Sequence, residues 1–178
     1  MDTLAGKLRL ALAAVGLGLL GWGLWPLPRH TYTNDLAGAR LTFTVPTALR
    51  LGDAPPAQLE VAPLKAAPAE TAAPAPLQLT VRLTLDGARA APQGEARLTL
   101  GKAAPVRLVW RVHPQAPGSV LGSLWVYQVF PDGSRMARLT YPLHLRVLAF
   151  LGLNGPQARL LGAFALLVAA VLAFAARQ

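Results

Sequence analysis

Cysteine is missing altogether from the 178 residues, so neither a disulfide framework nor a cysteine-ligated zinc or iron–sulfur centre is available to this chain. Histidine is scarce too. His30, His113 and His144 are too few and too scattered for a dedicated multi-histidine metal centre. Isoleucine is absent, and arginine outnumbers lysine by 14 to 3, a skew that reflects GC-rich codon usage more than any folding need. Acidic residues are also short, 8 against 17 basic ones, for a net charge of +9. Such an excess raises nucleic acid or an anionic membrane surface as partners, and the placement of the charges decides between them. Charged residues make up only 14% of the chain and hydrophobic ones 53%, which excludes disorder as a whole-chain description.

No charge falls between Leu10 and Pro28, and this run of 19 residues is near the minimum that crosses a hydrocarbon core. Lys7 and Arg9 precede it, and Trp22 and Trp25 sit near its far end, where indole rings favour the membrane–water interface. A cleaved signal peptide shares the basic start and apolar middle, but it needs a small-x-small site that Gly21-Trp-Gly-Leu-Trp-Pro-Leu-Pro28 does not supply. An uncleaved signal anchor is the expectation. A second run, Leu160 to Ala176, is uncharged over 17 residues and ends in Arg177-Gln178. Buried core helices usually carry polar residues on one face, and these runs carry none. The expected organisation is a cytoplasmic tail over 1–9, a transmembrane helix over 10–28, an extracytoplasmic domain over 29–157, a second transmembrane helix over 158–176 and a cytoplasmic tail over 177–178. Both termini are then inside the cell membrane, with the lipid bilayer itself the first partner. Residues 29–159 keep a balance of +7, which does not oppose this topology because a domain-sized loop translocates largely regardless of charge.

Within the outer domain, Arg40-Leu-Thr-Phe-Thr-Val45 and Leu77-Gln-Leu-Thr-Val-Arg-Leu-Thr-Leu-Asp86 alternate apolar and polar residues as half-buried strands do. Further strands are expected at 58–61, 95–100, 106–112, 120–130 and 138–149. Phe130-Pro-Asp-Gly-Ser134 is a reversal joining the last two, and Pro142 demands a bulge or an open edge in the final strand. The Pro/Ala-rich stretch 62–76 reads as an exposed loop, and Arg29 to Leu36 as a short stalk stiffened by Pro26 and Pro28. About seven short strands separated by turn signals predict a mainly β fold, an immunoglobulin-like β-sandwich between two transmembrane α-helices.

Chemistry-bearing patterns are few. No Gly-x-Ser-x-Gly or comparable nucleophile motif occurs, and the glycine-rich stretch from Gly16 to Gly23 lies inside an apolar helix without a Lys or Ser/Thr companion. No catalytic residue, cofactor site or metal site is expected, and no nucleic acid. Contact residues are another matter. Arg82, Arg97, Arg107, Arg111 and Arg146 recur on polar strand faces, either as an ordinary solvated surface or as a basic sheet for an anionic surface or acidic partner. Trp110, Trp125, Tyr127 and Tyr141 fall on the later strands. Trp125 and Tyr127 share one face while Leu124 and Val126 take the other, so an exposed aromatic pair would mark a contact patch. In the helices, Gly162, Ala165, Ala169, Ala173 and Ala176 form one stripe of small residues, and Ala14, Gly18 and Gly21 a shorter one, which predicts close antiparallel packing.

The stretch Trp110-Arg-Val-His-Pro-Gln-Ala-Pro-Gly118 followed by Gly122-Ser-Leu-Trp-Val-Tyr127 resembles the late-strand pattern of bacterial membrane-anchored immunoglobulin-like proteins, over about 40 residues. Without cysteines, the disulfide of antibody-type domains is excluded. The resemblance implies a non-enzymatic interaction or structural module and no particular ligand. An accessory subunit of a larger membrane complex is the nearest alternative, and an extracytoplasmic enzyme the alternative of another class.

Overall fold

A computed structural model of the chain describes residues 2–64, 77–101 and 104–175, in two compact units. One comprises 27–49 and 54–148, the other 1–26, 50–53 and 149–178.

Alternation of side chains dictates the first unit. Among the described residues it holds ten strands: β1 Arg29–Leu36, β2 Ala39–Pro46, β3 Ala48–Arg50, β4 Pro56–Pro63, β5 Leu77–Asp86, β6 Ala88–Ala91, β7 Glu95–Leu100, β8 Val106–Pro114, β9 Gly118–Val129 and β10 Arg135–Leu148. They form two five-stranded sheets, ordered β1-β2-β4-β8-β6 and β3-β10-β9-β5-β7. Leu41, Phe43, Leu59, Val61, Trp110 and Val112 of the first sheet are buried, as are Leu79, Val81, Leu124, Val126, Leu143 and Leu145 of the second. Phe43 packs 6.0 Å from Tyr141 and 6.4 Å from Trp110 between ring centroids, so the apolar faces meet as a β-sandwich. Each such side chain contributes about 1.5–3 kcal/mol on burial.

Seven of the strands occupy the expected segments and three do not. The stalk expected at Arg29 to Leu36 is instead β1, a full edge strand paired to β2 from Arg29↔Pro46 to Leu36↔Ala39. Its sequence is polar because an edge strand is paired on one side only and most of its side chains stay exposed: only Tyr32 and Leu36 are half-buried, while β2 supplies the hydrogen bonds. Ala37 (φ 48°) and Gly38 (φ 80°) make the two-residue turn, which needs positive φ at both central positions. β3 and β6 are too short to leave a periodic signal. Thr80, read from alternation as a solvent-facing residue, lies on the outer side of the second sheet yet is 0% exposed. Pro142 stays in register opposite Ser123, and the bulge of β10 falls instead between Ala137 and Leu139. The loop expected over 62–76 begins inside β4, which includes Ala62 and Pro63, and its residues 65–76 lie outside the described residues.

The second unit is helical. α1 spans Asp2–Leu24, starting ahead of the uncharged run and taking in Lys7 and Arg9, and it stops before Pro26 and Pro28, which cannot continue it. α2 spans Gly155–Ala175; Ala176 and the tail 177–178 lie outside the described residues. Its first turn is closed by a reciprocal box: the Asn154 carbonyl oxygen Oδ1 accepts from the Gln157 amide at 2.8 Å, and Gln157 Oε1 accepts from the Asn154 amide at 3.0 Å. Both helices are long and apolar enough to cross a membrane. Most of their side chains are uncovered, including Leu8, Leu17, Leu160, Leu167 and Phe174.

Candidate functional site

The sandwich core is complete without Trp125 and Tyr127. Leu124 and Val126 fill the inner face of β9, which leaves the two aromatics half-buried on the outer face, their ring centroids 6.2 Å apart and their planes within 14°. Register fixes what surrounds them. Trp125 lies between Arg82 of β5 and Thr140 of β10, and Tyr127 between Thr80 and Ala137. One strand further out, Glu95 stands opposite Arg82 and Arg97 opposite Thr80. Arg135 pairs with Glu95 at 2.8 Å, and Arg138 donates to Gln128 Oε1 at 3.0 Å with its guanidinium 5.9 Å from the Phe130 ring centre. Arg82 and Arg97 are exposed and form no ion pair among the described residues.

The other expected arginines do not join this patch, so no single basic sheet exists. Arg146 is on the same outer face but opposite Ser119, six residues along β9 from Trp125, or about 20 Å at a strand's rise. Arg107 and Arg111 belong to the first sheet, where Arg107 is neutralised by Glu60 at 2.9 Å and Arg111 stands opposite Pro56 and Ala91. Antiparallel pairing in two layers separates them, a fact that strand alternation alone does not carry.

Four titrating groups of the sandwich depart from their ordinary values among the described residues, one of them Arg40, raised by its hydrogen bond to Asp35. Hydrogen bonds from Arg40 hold Asp35 low, and those from the Ser134 hydroxyl and amide do the same for Asp132 in the β9–β10 turn. Burial pushes the Tyr141 phenol up, partly opposed by the Asn34 amide that donates to it at 3.0 Å. No group of three or more His, Asp and Glu side chains converges among the described residues.

In the helical unit the expected packing stripes land unequally. On α2, Gly162 and Ala169 are buried and Ala165 and Ala173 half-buried. On α1 the contact is made by Gly16 and Gly23, whereas Ala14, Gly18 and Gly21 are exposed and a side chain at Gly18 or Gly21 would meet nothing within 4 Å. The reason is angular: Gly16 and Gly23 are two turns apart on one face, and their spacing of seven was hidden among the closer glycines. A Cβ at Gly16 would come 2.9 Å from the Gly162 carbonyl, and one at Gly162 equally close to the Gly16 carbonyl.

The same unit holds an ion cluster that motif reading missed. Arg50 and Arg159 both donate to or face the Asp53 carboxylate, Arg159 through a short hydrogen bond and Arg50 at 3.7 Å. Arg50, 5% exposed, also donates to the Trp25 carbonyl and lies 5.4 Å from the Trp22 ring centre; Arg159 reaches the Gly23 carbonyl at 3.3 Å. These cations thus meet carbonyls at the C-terminal end of α1, and Asp53 sits against Gly155 at the N-terminus of α2, each the charge its helix end favours. Positions 50, 53 and 159 have no common spacing in the chain, so only folding assembles them.

No protein-family model matches the chain, and no curated protein matches it. Among solved structures it is similar to a chain in the crystal structure of the complex between zinc 2-glycoprotein and prolactin inducible protein from human seminal plasma, at 15% identity and a TM-score of 0.43, over 67% of this chain and 93% of that one. None of these comparisons shows the bacterial membrane-anchored family that residues 110–127 resemble, and the mainly β, two-sheet fold rests on the strand pairing itself.

Proposed function

We propose that this chain is a two-pass membrane protein whose immunoglobulin-like sandwich is an extracytoplasmic, non-enzymatic binding module. The observation that carries it is the outward-facing Trp125–Tyr127 pair: two large aromatics left half-exposed on a sheet whose core is already filled are the kind of anchor that binding faces use. The immunoglobulin-like reading is supported by strand order. β2, β4, β8 and β6 follow the order A-B-E-D of such domains, and β5, β9 and β10 the order C-F-G. Membrane anchoring is supported by two long apolar helices with uncovered side chains, with Lys7 and Arg9 in the first turns of α1 and Trp22 and Trp25 at its other end.

The test replaces Trp125 and Tyr127 together with Ala in the full chain. The doubly substituted protein is expected to remain in the membrane fraction and to keep its unfolding midpoint, while losing crosslinks from a photoreactive group placed at Arg82. Unchanged crosslinking would remove this face from the reading. A second reading, an accessory subunit within a larger membrane complex, is favoured by one feature: the small stripe Ala14, Gly18 and Gly21 is left uncovered by α2, which leaves room for a foreign helix.

A further inference from the structure

The most exposed large apolar side chain among the described residues is not on a helix. Leu151 is 86% exposed and lies in the turn between β10 and α2. The turn is tight: Phe150 and Leu153 exchange both backbone hydrogen bonds, at 2.8 and 3.2 Å, around Leu151 (φ 51°) and Gly152 (φ 77°). Positive φ at both central positions favours Asn, Asp or Gly, and a leucine there is strained. The turn at Ala37 and Gly38, of the same kind, places only a methyl group at that position. Leu151 thus combines an unfavourable backbone with a side chain that the fold leaves uncovered, and it needs a use outside the fold.

Phe150 fixes where the turn lies. Its ring centre is 5.5 Å from that of Trp22 in the last turn of α1, and Gly23 meets Arg159 near the start of α2, so the turn, the indole and both helix ends share one level of the hairpin. Trp25, 71% exposed, and Leu160, 72% exposed, are uncovered at the same end. Free charge is missing there. Between Val147 and Ala176 the sequence has one charged residue, Arg159, which Asp53 neutralises, and Arg50 over the Trp22 ring is buried. The uncharged stretch of α2 therefore continues past the helix N-terminus onto the turn. Indoles beside uncovered apolar side chains at the end of a hairpin long enough to span suit the headgroup boundary of a bilayer, and the backbone pairing of Phe150 with Leu153 lowers the cost of leaving water. We infer that the Phe150–Leu153 turn inserts into the leaflet at the Trp22 end of the helices, with Leu151 among the upper acyl chains, as a third lipid contact beside α1 and α2. The inference rests on the membrane-anchoring reading and adds a site to it.

The absence of cysteine lets one introduced thiol carry an environment-sensitive fluorophore in the full chain, purified and reconstituted into phosphatidylcholine vesicles. Leu151→Cys reports on the turn, Leu167→Cys on the uncovered middle of α2, and Gln115→Cys on the sandwich surface. At Leu151 the emission is expected to be blue-shifted from that at Gln115, shielded severalfold from iodide, and quenched more by lipid with a nitroxide near the headgroup than near the chain end. At Leu167 the order of the two nitroxide lipids should reverse. Phe150→Cys reads the same turn from the neighbouring residue if Leu151→Cys does not fold, and the unfolding midpoint of each variant shows which do. Iodide quenching at the turn equal to that at Gln115 overturns the inference. So does a fluorophore shielded from iodide but indifferent to both nitroxide lipids, with disulfide-linked dimers forming through unlabelled Leu151→Cys, which would assign the turn to a second copy of the chain. If the turn reads as aqueous while Leu167 is still quenched from the chain end, the insertion is wrong and the anchoring stands; if both read as aqueous, the anchoring itself is wrong.

Discussion

Tyr141 ties the two sheets together at the level of single side chains. Its ring meets Phe43 at 6.0 Å and Tyr32 at 5.1 Å, and its hydroxyl accepts from Asn34. Burial raises its pKa above the usual 10, so the fold favours the neutral phenol. The stabilisation is therefore complete below the unfolded-state value and is lost as pH rises through the folded-state value. Urea midpoints measured at pH 8 and pH 11 should fall less between the two for Tyr141→Phe than for the parent, and at pH 8 the variant should be weaker by about 1 kcal/mol for the lost hydrogen bond. Alternation along β5 yields a sharper contrast. Val81 is 0% exposed, and Val81→Asp should abolish folding because an unpaired buried charge costs several kcal/mol. Gln78→Asp, at an exposed position of the same strand, should shift the midpoint little. Thr80 no longer serves as the exposed control that alternation makes it, because the outer-face side chains close over it.

Among the elements, the helix hairpin is the most sensitive to single atoms. Gly16 and Gly162 meet backbone to backbone, so Gly16→Leu or Gly162→Leu must force α1 and α2 apart, whereas Gly18→Leu should be silent. Contacts of Gly23 with Arg159, Leu20 with Gly162 and Gly16 with Leu166 run antiparallel at constant register, which predicts that Ala13 faces Ala169. Ala13→Cys with Ala169→Cys should then crosslink in the parent and in Gly18→Leu, and fail in Gly16→Leu. The ion cluster belongs to the same scale. Asp53→Asn leaves two guanidiniums without their carboxylate, and the loss, read from thermal unfolding in detergent, should be about 2–4 kcal/mol.

For the whole molecule, the decisive question is which side of a bilayer each unit faces. With an impermeant maleimide, Gln115→Cys in the sandwich should be labelled on intact spheroplasts, and Lys7→Cys in α1 only after permeabilisation. The reverse pattern would invert the topology, and labelling of both would mean that α1 and α2 do not span. Composition had already set the terms of this test, since the apolar runs and their flanking charges are visible without any fold.

What the chain determined by itself is whatever depends on neighbours in sequence: seven strands from alternation, the Phe130 to Ser134 reversal, two apolar helices, and the sharing of one face by Trp125 and Tyr127. Tertiary structure decided whatever depends on a distant partner. β1 is a strand only because β2 lies beside it, and Arg82 joins Trp125 only because β5 pairs with β9. Arg107 and Arg111 are separated from them by sheet membership, Gly16 displaced Gly18 as the helix contact through the angle at which α2 approaches, and Asp53 found Arg159 across 106 residues of chain. Periodicity fixes the direction of a side chain relative to its own strand or helix; what that direction meets is set by which elements pack together, and the chain's local pattern contains no record of it.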